Sequence, residues 1–231
     1  MYWIILGVTF LVSWLVSSRL KSKFRYYSQI HLKANMTGKE AAEKMLRDYG
    51  IYDVHVTCVP GELTDHYNPM NKTVNLSEPV YYGNSAASMA VAAHECGHAV
   101  QHATAYSMLK FRSAMVPVQN VSSTVLNAVM MLSFIGGAAL RQTFPTELVL
   151  FIIIAAYSVI TLFSIVTLPV EFDASKRALA WIQNQGMVSG QEHAMAKDAL
   201  FWAAMTYMVA ALGSIAMLAY YVLQLLGVRR D

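Results

Sequence analysis

The sequence predicts a mainly α membrane protein, with about four transmembrane helices and a small polar α+β part. Two observations carry the prediction. The chain is 56% hydrophobic and only 13% charged, too apolar for an ordinary soluble domain. Its apolar residues also gather into uncharged runs at 1–18, 116–140, 148–168 and 199–228, while most charges lie between them. The last three runs are each long enough to cross about 30 Å of hydrocarbon, and the first is somewhat short.

The first run, Met1 to Ser18, has no basic residues before it and no small-residue cleavage site after it, so it reads as a retained anchor rather than a signal peptide. Arg19, Lys21, Lys23 and Arg25 follow at once and place that end of the span in the cytoplasm. In the polar part, Thr37-Gly38-Lys39-Glu40 forms a capping box, which starts a helix expected to run to about Tyr49 and to stop at Gly50. Val54 to Val59 alternates and is β-branched, as a strand requires. Leu63 to Tyr67 and Thr73 to Ser77 form a hairpin around Asn68-Pro69-Met70-Asn71-Lys72. Ser85 or Asn84 then caps a helix built on Ala86 to Ala93.

That helix runs into His94-Glu95-Cys96-Gly97-His98. Residues four apart lie one turn apart on the same helix face, so His94 and His98 can offer two imidazole nitrogens to one metal ion. Glu95 lies beside them, where a general base would act on water activated by the metal. Cys96 is about 200° around the helix from His94. With Cys58 it gives no disulfide framework, and both read as small buried residues. A third ligand must come from elsewhere. His102 stands at the wrong offset for a metzincin, with Gln101 where that pattern needs glycine. Glu171, in Leu168-Pro169-Val170-Glu171-Phe172-Asp173-Ala174-Ser175, is the candidate, and His94, His98 and Glu171 would make a gluzincin-like zinc site. The two spans between His94 and Glu171 are an even number, so both residues return to one side of the membrane.

With Gly61-Glu62-Leu63-Thr64-Asp65-His66-Tyr67-Asn68-Pro69, these segments occur in an order that resembles the YugP-like membrane zinc metallopeptidases of bacteria, also called neutral zinc metallopeptidases. That family is in turn similar to the HtpX-like membrane proteases. The resemblance implies a zincin-like cytoplasmic part at 19–112, an anchor at 1–18, and a membrane part at 113–231. The membrane part would hold a hairpin over 116–168, a Glu171 helix over 169–197 and a last span over 199–228. It implies one zinc per chain, a polypeptide substrate, Glu171 as third ligand, and a bacterial plasma-membrane location with the site on the cytoplasmic side. In the HtpX-like proteins an aspartate four residues after the ligand supports the site. Here Ser175 stands at that place, with Asp173 two residues earlier.

Other roles stay open at this level. Arg177, His193 and Tyr207 are candidates to stabilise an oxyanion. Thr73, Val74, Asn75, Leu76 and Ser77 are the candidate strand for holding an extended substrate at a sheet edge. His66 is a candidate neighbour of the site. Asn120, Ser122, Ser123, Thr124 and Asn127 are expected to face other helices or a wet cavity. The net charge of +3 gives no sign of nucleic-acid binding. Arg229 and Arg230, after the last span, run against the positive-inside rule. A non-catalytic zinc-binding membrane protein, acting as an assembly or quality-control partner, is the alternative to an endopeptidase. A transporter fits less well, for want of paired intramembrane charges. Membrane-protein partners or a homo-oligomer fit either of the first two. A cysteine placed at Lys39 should resist an impermeant thiol reagent in intact cells and react after lysis, and ready labelling of intact cells would reverse the orientation.

Overall fold

The computed structural model describes residues 1–32, 34–143 and 145–228. Its helices and strands follow in the order α1 (Tyr2–Ser28), α2 (Gly38–Asp48), β1 (His55–Val59), β2 (His66–Asn68), β3 (Thr73–Ser77), α3 (Glu78–Tyr81), α4 (Ala86–Ala103), α5 (Ser107–Thr143), α6 (Thr146–Asn184) and α7 (Gly190–Val228). Four helices among the described residues are long and apolar enough to cross a membrane: Tyr2–Ser28, Ser107–Ser133, Thr146–Asn184 and Gly190–Gly227. Arg229 and Arg230 lie outside the described residues.

The chain divides into two compact units. One comprises Met1–Trp14, Phe111–Leu168 and the chain from Tyr207 onward. Its packing is aromatic and aliphatic: Tyr157 stacks on Tyr221 with ring centroids 5.5 Å apart, and Ile153 and Met217 are buried beside them. Of the polar residues of α5, Ser122 and Ser123 are half-buried while Asn120, Thr124 and Asn127 are exposed, and the Thr124 hydroxyl donates back to the Asn120 carbonyl at 2.9 Å. A hydroxyl bonded to the preceding turn satisfies itself without a neighbouring helix.

The other unit, Leu15–Lys110 with Pro169–Thr206, holds the main core. Local sequence chemistry sets its elements. Thr37 Oγ1 accepts from the Glu40 N–H while Glu40 Oε2 accepts from the Thr37 N–H, so both halves of the capping box are made. Gly50 ends that helix at φ +69°, where a side chain would be strained. The hairpin forms as expected, with β2 antiparallel to β3, but β1 pairs parallel on β3's other side. The sheet order is therefore β1-β3-β2, and β3 is its middle strand. This corrects the expectation that Thr73–Ser77 is an edge. From Thr73 to Asn75 the backbone has a partner strand on each side, which leaves no free row of donors for an added peptide. Cys58 is another correction. It is exposed on the outer strand β1, whereas Cys96 is buried and points its Sγ at the Ala42 carbonyl, 3.5 Å away.

Helix α4 is the centre of this unit. Ser85 caps it by accepting from the Ser88 N–H. Helix α2 lays Ala41, Ala42 and Met45, all fully buried, into the same core. Val74 and Leu76 of β3 and Ala178, Trp181 and Ile182 of α6 complete it. The Trp181 indole donates to Asp48 Oδ2 at 2.9 Å, tying α6 to the end of α2. Lys23, from the basic cluster after the first span, pairs with Asp198 of α7 at 2.9 Å, and Tyr27 donates to the same carboxylate at 2.6 Å.

Helix α6 ends at Asn184 and α7 begins at Gly190, not near 197 and 199 as expected. The break is local chemistry. Gly186 takes φ +64°, and a second capping box joins Ser189 to Glu192, whose Oε2 accepts from the Ser189 N–H at 2.6 Å. Truncating Met45 to alanine should destabilise this unit by about 2–5 kcal/mol, read as a lowered midpoint in denaturant titration of the detergent-purified chain; an unchanged midpoint would show that α2 is not part of the α4 core.

Candidate metal centre

Helix α4 carries His94 and His98 one turn apart with Glu95 beside His94, and α6 carries Glu171. The four are part of one compact unit. A helical glycine lets the two helices meet. Gly97 costs about 1 kcal/mol of helix propensity relative to alanine, so packing must repay it. A Cβ at this position would stand 2.6 Å from the Ala174 carbonyl oxygen and 3.1 Å from its Cα. Both are backbone atoms, so no side-chain rotation relieves the clash. The bare Gly97 lets α6 press against α4, and Glu171 then falls between the two histidines.

The resulting geometry suits zinc. Glu171 Oε2 lies 3.3 Å from His94 Nε2 and 3.5 Å from His98 Nε2. Ligands about 2.0–2.2 Å from a tetrahedral zinc stand about 3.3–3.6 Å apart, so these separations are edges of such a tetrahedron. One ligand atom from each of the three residues lies within 4.8 Å of the others. The imidazole rings stand nearly perpendicular, at 84°, and present their Nε2 atoms to the same carboxylate. Glu171 is 3% exposed and His98 8%, so an ion there would be largely shielded from solvent.

The far nitrogen of each ring is also held. His98 Nδ1 donates to Gln101 Oε1 at 3.0 Å, and His94 Nδ1 shares a hydrogen bond with Ser175 Oγ at 3.1 Å. Gln101 is fully buried and spends its amide nitrogen on Val170 O, at 2.8 Å, and Asp173 Oδ2, at 2.9 Å. With its nitrogen so committed, the amide oxygen must face His98. That bond fixes the proton on Nδ1 and frees the Nε2 lone pair for a metal. Asp173 accepts in turn from Arg177 Nε at 2.6 Å, and the Arg177 guanidinium lies 5.8 Å from the centre of the Tyr106 ring.

Glu95 is buried at 8% exposure but is not one of the three clustered donors. It is close enough to Asp65 for their charges to interact. Burial pushes the Asp65 carboxyl above its ordinary value; the Ser77 N–H and hydroxyl, which donate to it at 2.7 and 3.0 Å, oppose the rise, and the charge on Glu95 adds to it. Burial opposes a proton on His98, but the Glu171 carboxylate outweighs it and holds the imidazole above its ordinary value. A metal ion would replace that proton as partner of the carboxylate.

The structure brings together His94, His98, Glu171 and Ser175, with Asp173 and Arg177 one hydrogen-bonded step behind. His193 lines a cleft between α6 and α7, and Tyr207 falls in the other unit. His66 spends its ring nitrogens on Thr64 O and the Asn75 side chain, and His102 is hydrogen-bonded to the Tyr67 hydroxyl at 2.8 Å. Sequence reasoning assigned no role to Gln101 or Asp65. The signal for Gln101 was present: an amide three residues after the second histidine, on the helix face that carries both histidines.

Comparison with known proteins also points to a zinc metallopeptidase family. Residues 2–226 match the family described as "Putative neutral zinc metallopeptidase". The chain is 40% identical over 213 residues to "Putative membrane protease YugP" of Bacillus subtilis (strain 168), which covers 92% of this chain and 91% of that protein. No solved structure matches the chain. Replacing Gly97 by alanine should keep the helical circular-dichroism signal but weaken zinc binding about 10–100-fold, as misplacing ligands commonly does; wild-type zinc affinity in a folded Gly97→Ala protein would refute the close-approach argument.

Proposed function

The chain therefore belongs to this neutral zinc metallopeptidase family and is a membrane protein, and from that premise we propose that it is a zinc-dependent endopeptidase of membrane or membrane-associated polypeptides. The observation that carries the reading is the trio His94, His98 and Glu171, whose donor separations fit one tetrahedral zinc, beside a buried carboxylate outside the trio. A purely structural zinc site has no use for such a carboxylate.

In this reading the three residues hold one zinc per chain. Zinc held there supplies a Lewis acid that polarises a peptide carbonyl and lowers the pKa of water. Glu95 accepts a proton from the attacking water and hands it to the departing amine nitrogen. Gln101 and Ser175 keep His94 and His98 turned with Nε2 inward. Asp173 and Arg177 brace Gln101 and so act through it, not on substrate. No covalent intermediate forms on the protein. Residues 1–18 serve as the anchor, and the basic residues after them set the working part on the cytoplasmic face of a bacterial plasma membrane.

Glu95→Gln should retain zinc and fold yet lose peptide hydrolysis by about 10²–10⁴-fold, since glutamine cannot accept the proton. Glu171→Gln should lose zinc and activity together, because it weakens a ligand. Zinc content by elemental analysis and cleavage of a reconstituted membrane-protein substrate read the two outcomes. Near wild-type cleavage by Glu95→Gln would leave the non-catalytic zinc-binding reading in its place.

A further inference from the structure

The unit that holds the metal centre contains a cleft of about 480 Å³ between the last turns of α6 and the first turns of α7. The two helices run antiparallel along it, and each gives it one face. On α6 that face is Phe172, Ser175, Lys176, Leu179 and Gln183; on α7 it is His193, Lys197, Leu200, Phe201 and Ala204. Both sets repeat at three and four residues, as one helix face requires.

The cleft is graded along its length. One end is apolar, with Phe172 at 41% and Phe201 at 48% exposure and Ala204 between the helices. From this end, in chain order, α6 leads back into the uncharged run 148–168, and α7 leads on into the rest of the uncharged run 199–228. One turn in from Phe172 on α6 stands Lys176, and one turn in from Phe201 on α7 stands Lys197, one on each wall, and both are exposed. Beyond them lie Gln183 and His193. The His193 Nε2 is buried and meets no hydrogen-bond partner among the described residues. A buried ring nitrogen without a partner is costly and points to a group that completes it. No acidic side chain lines the cleft to neutralise its two lysines.

We propose that this cleft binds one anionic phospholipid. The phosphate would sit between Lys176 and Lys197, the acyl chain would pass Phe172, Phe201 and Ala204, and headgroup hydroxyls would meet Gln183 and His193. Charge complementarity selects the anionic headgroup, and the order apolar, cationic, polar along the cleft matches the order acyl chain, phosphate, hydroxyl along the lipid. Ser175 borders the cleft and also bonds His94, so the bound lipid would lie behind the metal centre and not on its open face. The proposal does not depend on the chain's being a peptidase.

The test uses the full chain, reconstituted with equal parts phosphatidylglycerol and phosphatidylcholine, extracted in mild detergent and weighed by native mass spectrometry. The wild type should retain one phosphatidylglycerol and shed phosphatidylcholine. Lys176→Gln with Lys197→Gln should reduce that retention by about tenfold or more, with zinc content unchanged. The same change at two lysines outside the cleft, Lys39 and Lys72, should leave retention as in the wild type. Equal retention of the two lipids, full retention by the cleft variant, an equal loss from the outside pair, or a co-purifying polypeptide cross-linked to the cleft in place of lipid would each overturn the proposal.

Discussion

The contact of Gly97 with the Ala174 backbone is the constraint on which the rest of the working unit depends. Two histidines on α4 define only one side of a coordination sphere. The third donor, Glu171, follows them by more than seventy residues of chain, on another helix, and it must arrive at ligand distance. Where a Cβ would stand 2.6 Å from a carbonyl oxygen, only a hydrogen atom fits. The glycine inside the metal-binding motif is therefore part of the motif's geometry. Its conformational freedom is not used, because residue 97 is helical.

Polar bonds then fix what the close approach permits. Gln101 occupies a position from which it bonds His98 on its own helix and Val170 and Asp173 on the other. An amide has an acceptor at one end and a donor at the other, so it can orient an imidazole and tie down α6 at once. Serine at position 175 does the corresponding work for His94 with a hydroxyl. In the HtpX-like proteins that this chain resembles, an aspartate stands at this place. Here the carboxylate stands two residues earlier, at Asp173, and reaches the site through Gln101. Burial makes these bonds matter: in a site this shielded, an unpaired ring nitrogen or amide would be costly.

The membrane runs and the metal centre are linked through the chain itself. Helix α6 is apolar from Leu148 to Leu168, passes Pro169, and carries Glu171 directly afterward. Proline removes one backbone donor and weakens the helix ladder at that point, just where the helix changes from a lipid-type sequence to a core-type one. Small residues follow on the face toward α4, with Ala174 and Ala178 fully buried. The face toward α7 carries larger and cationic residues instead and lines the cleft.

The sequence by itself determined whatever depends on near neighbours in the chain. Capping at Thr37, the hairpin around Asn68–Lys72, the helix through His94 and His98, and the apolar runs are each set by residues within a few positions of one another. Glu171 as the partner of that helix was legible too, from its place just after an apolar run at the start of a second helical stretch. Tertiary structure decided the rest. Strand order is one case: β1 adds parallel to β3 beyond the hairpin, and this moved Thr73–Ser77 from the edge to the middle of the sheet. The environment of α5 is another, since polar residues in an apolar run do not say which way they turn. The bonds of Gln101 to Val170 and Asp173, the nearness of Asp65 to Glu95 and the closeness permitted by Gly97 all join residues far apart in sequence. Such contacts arise from packing, which no local pattern of residues encodes.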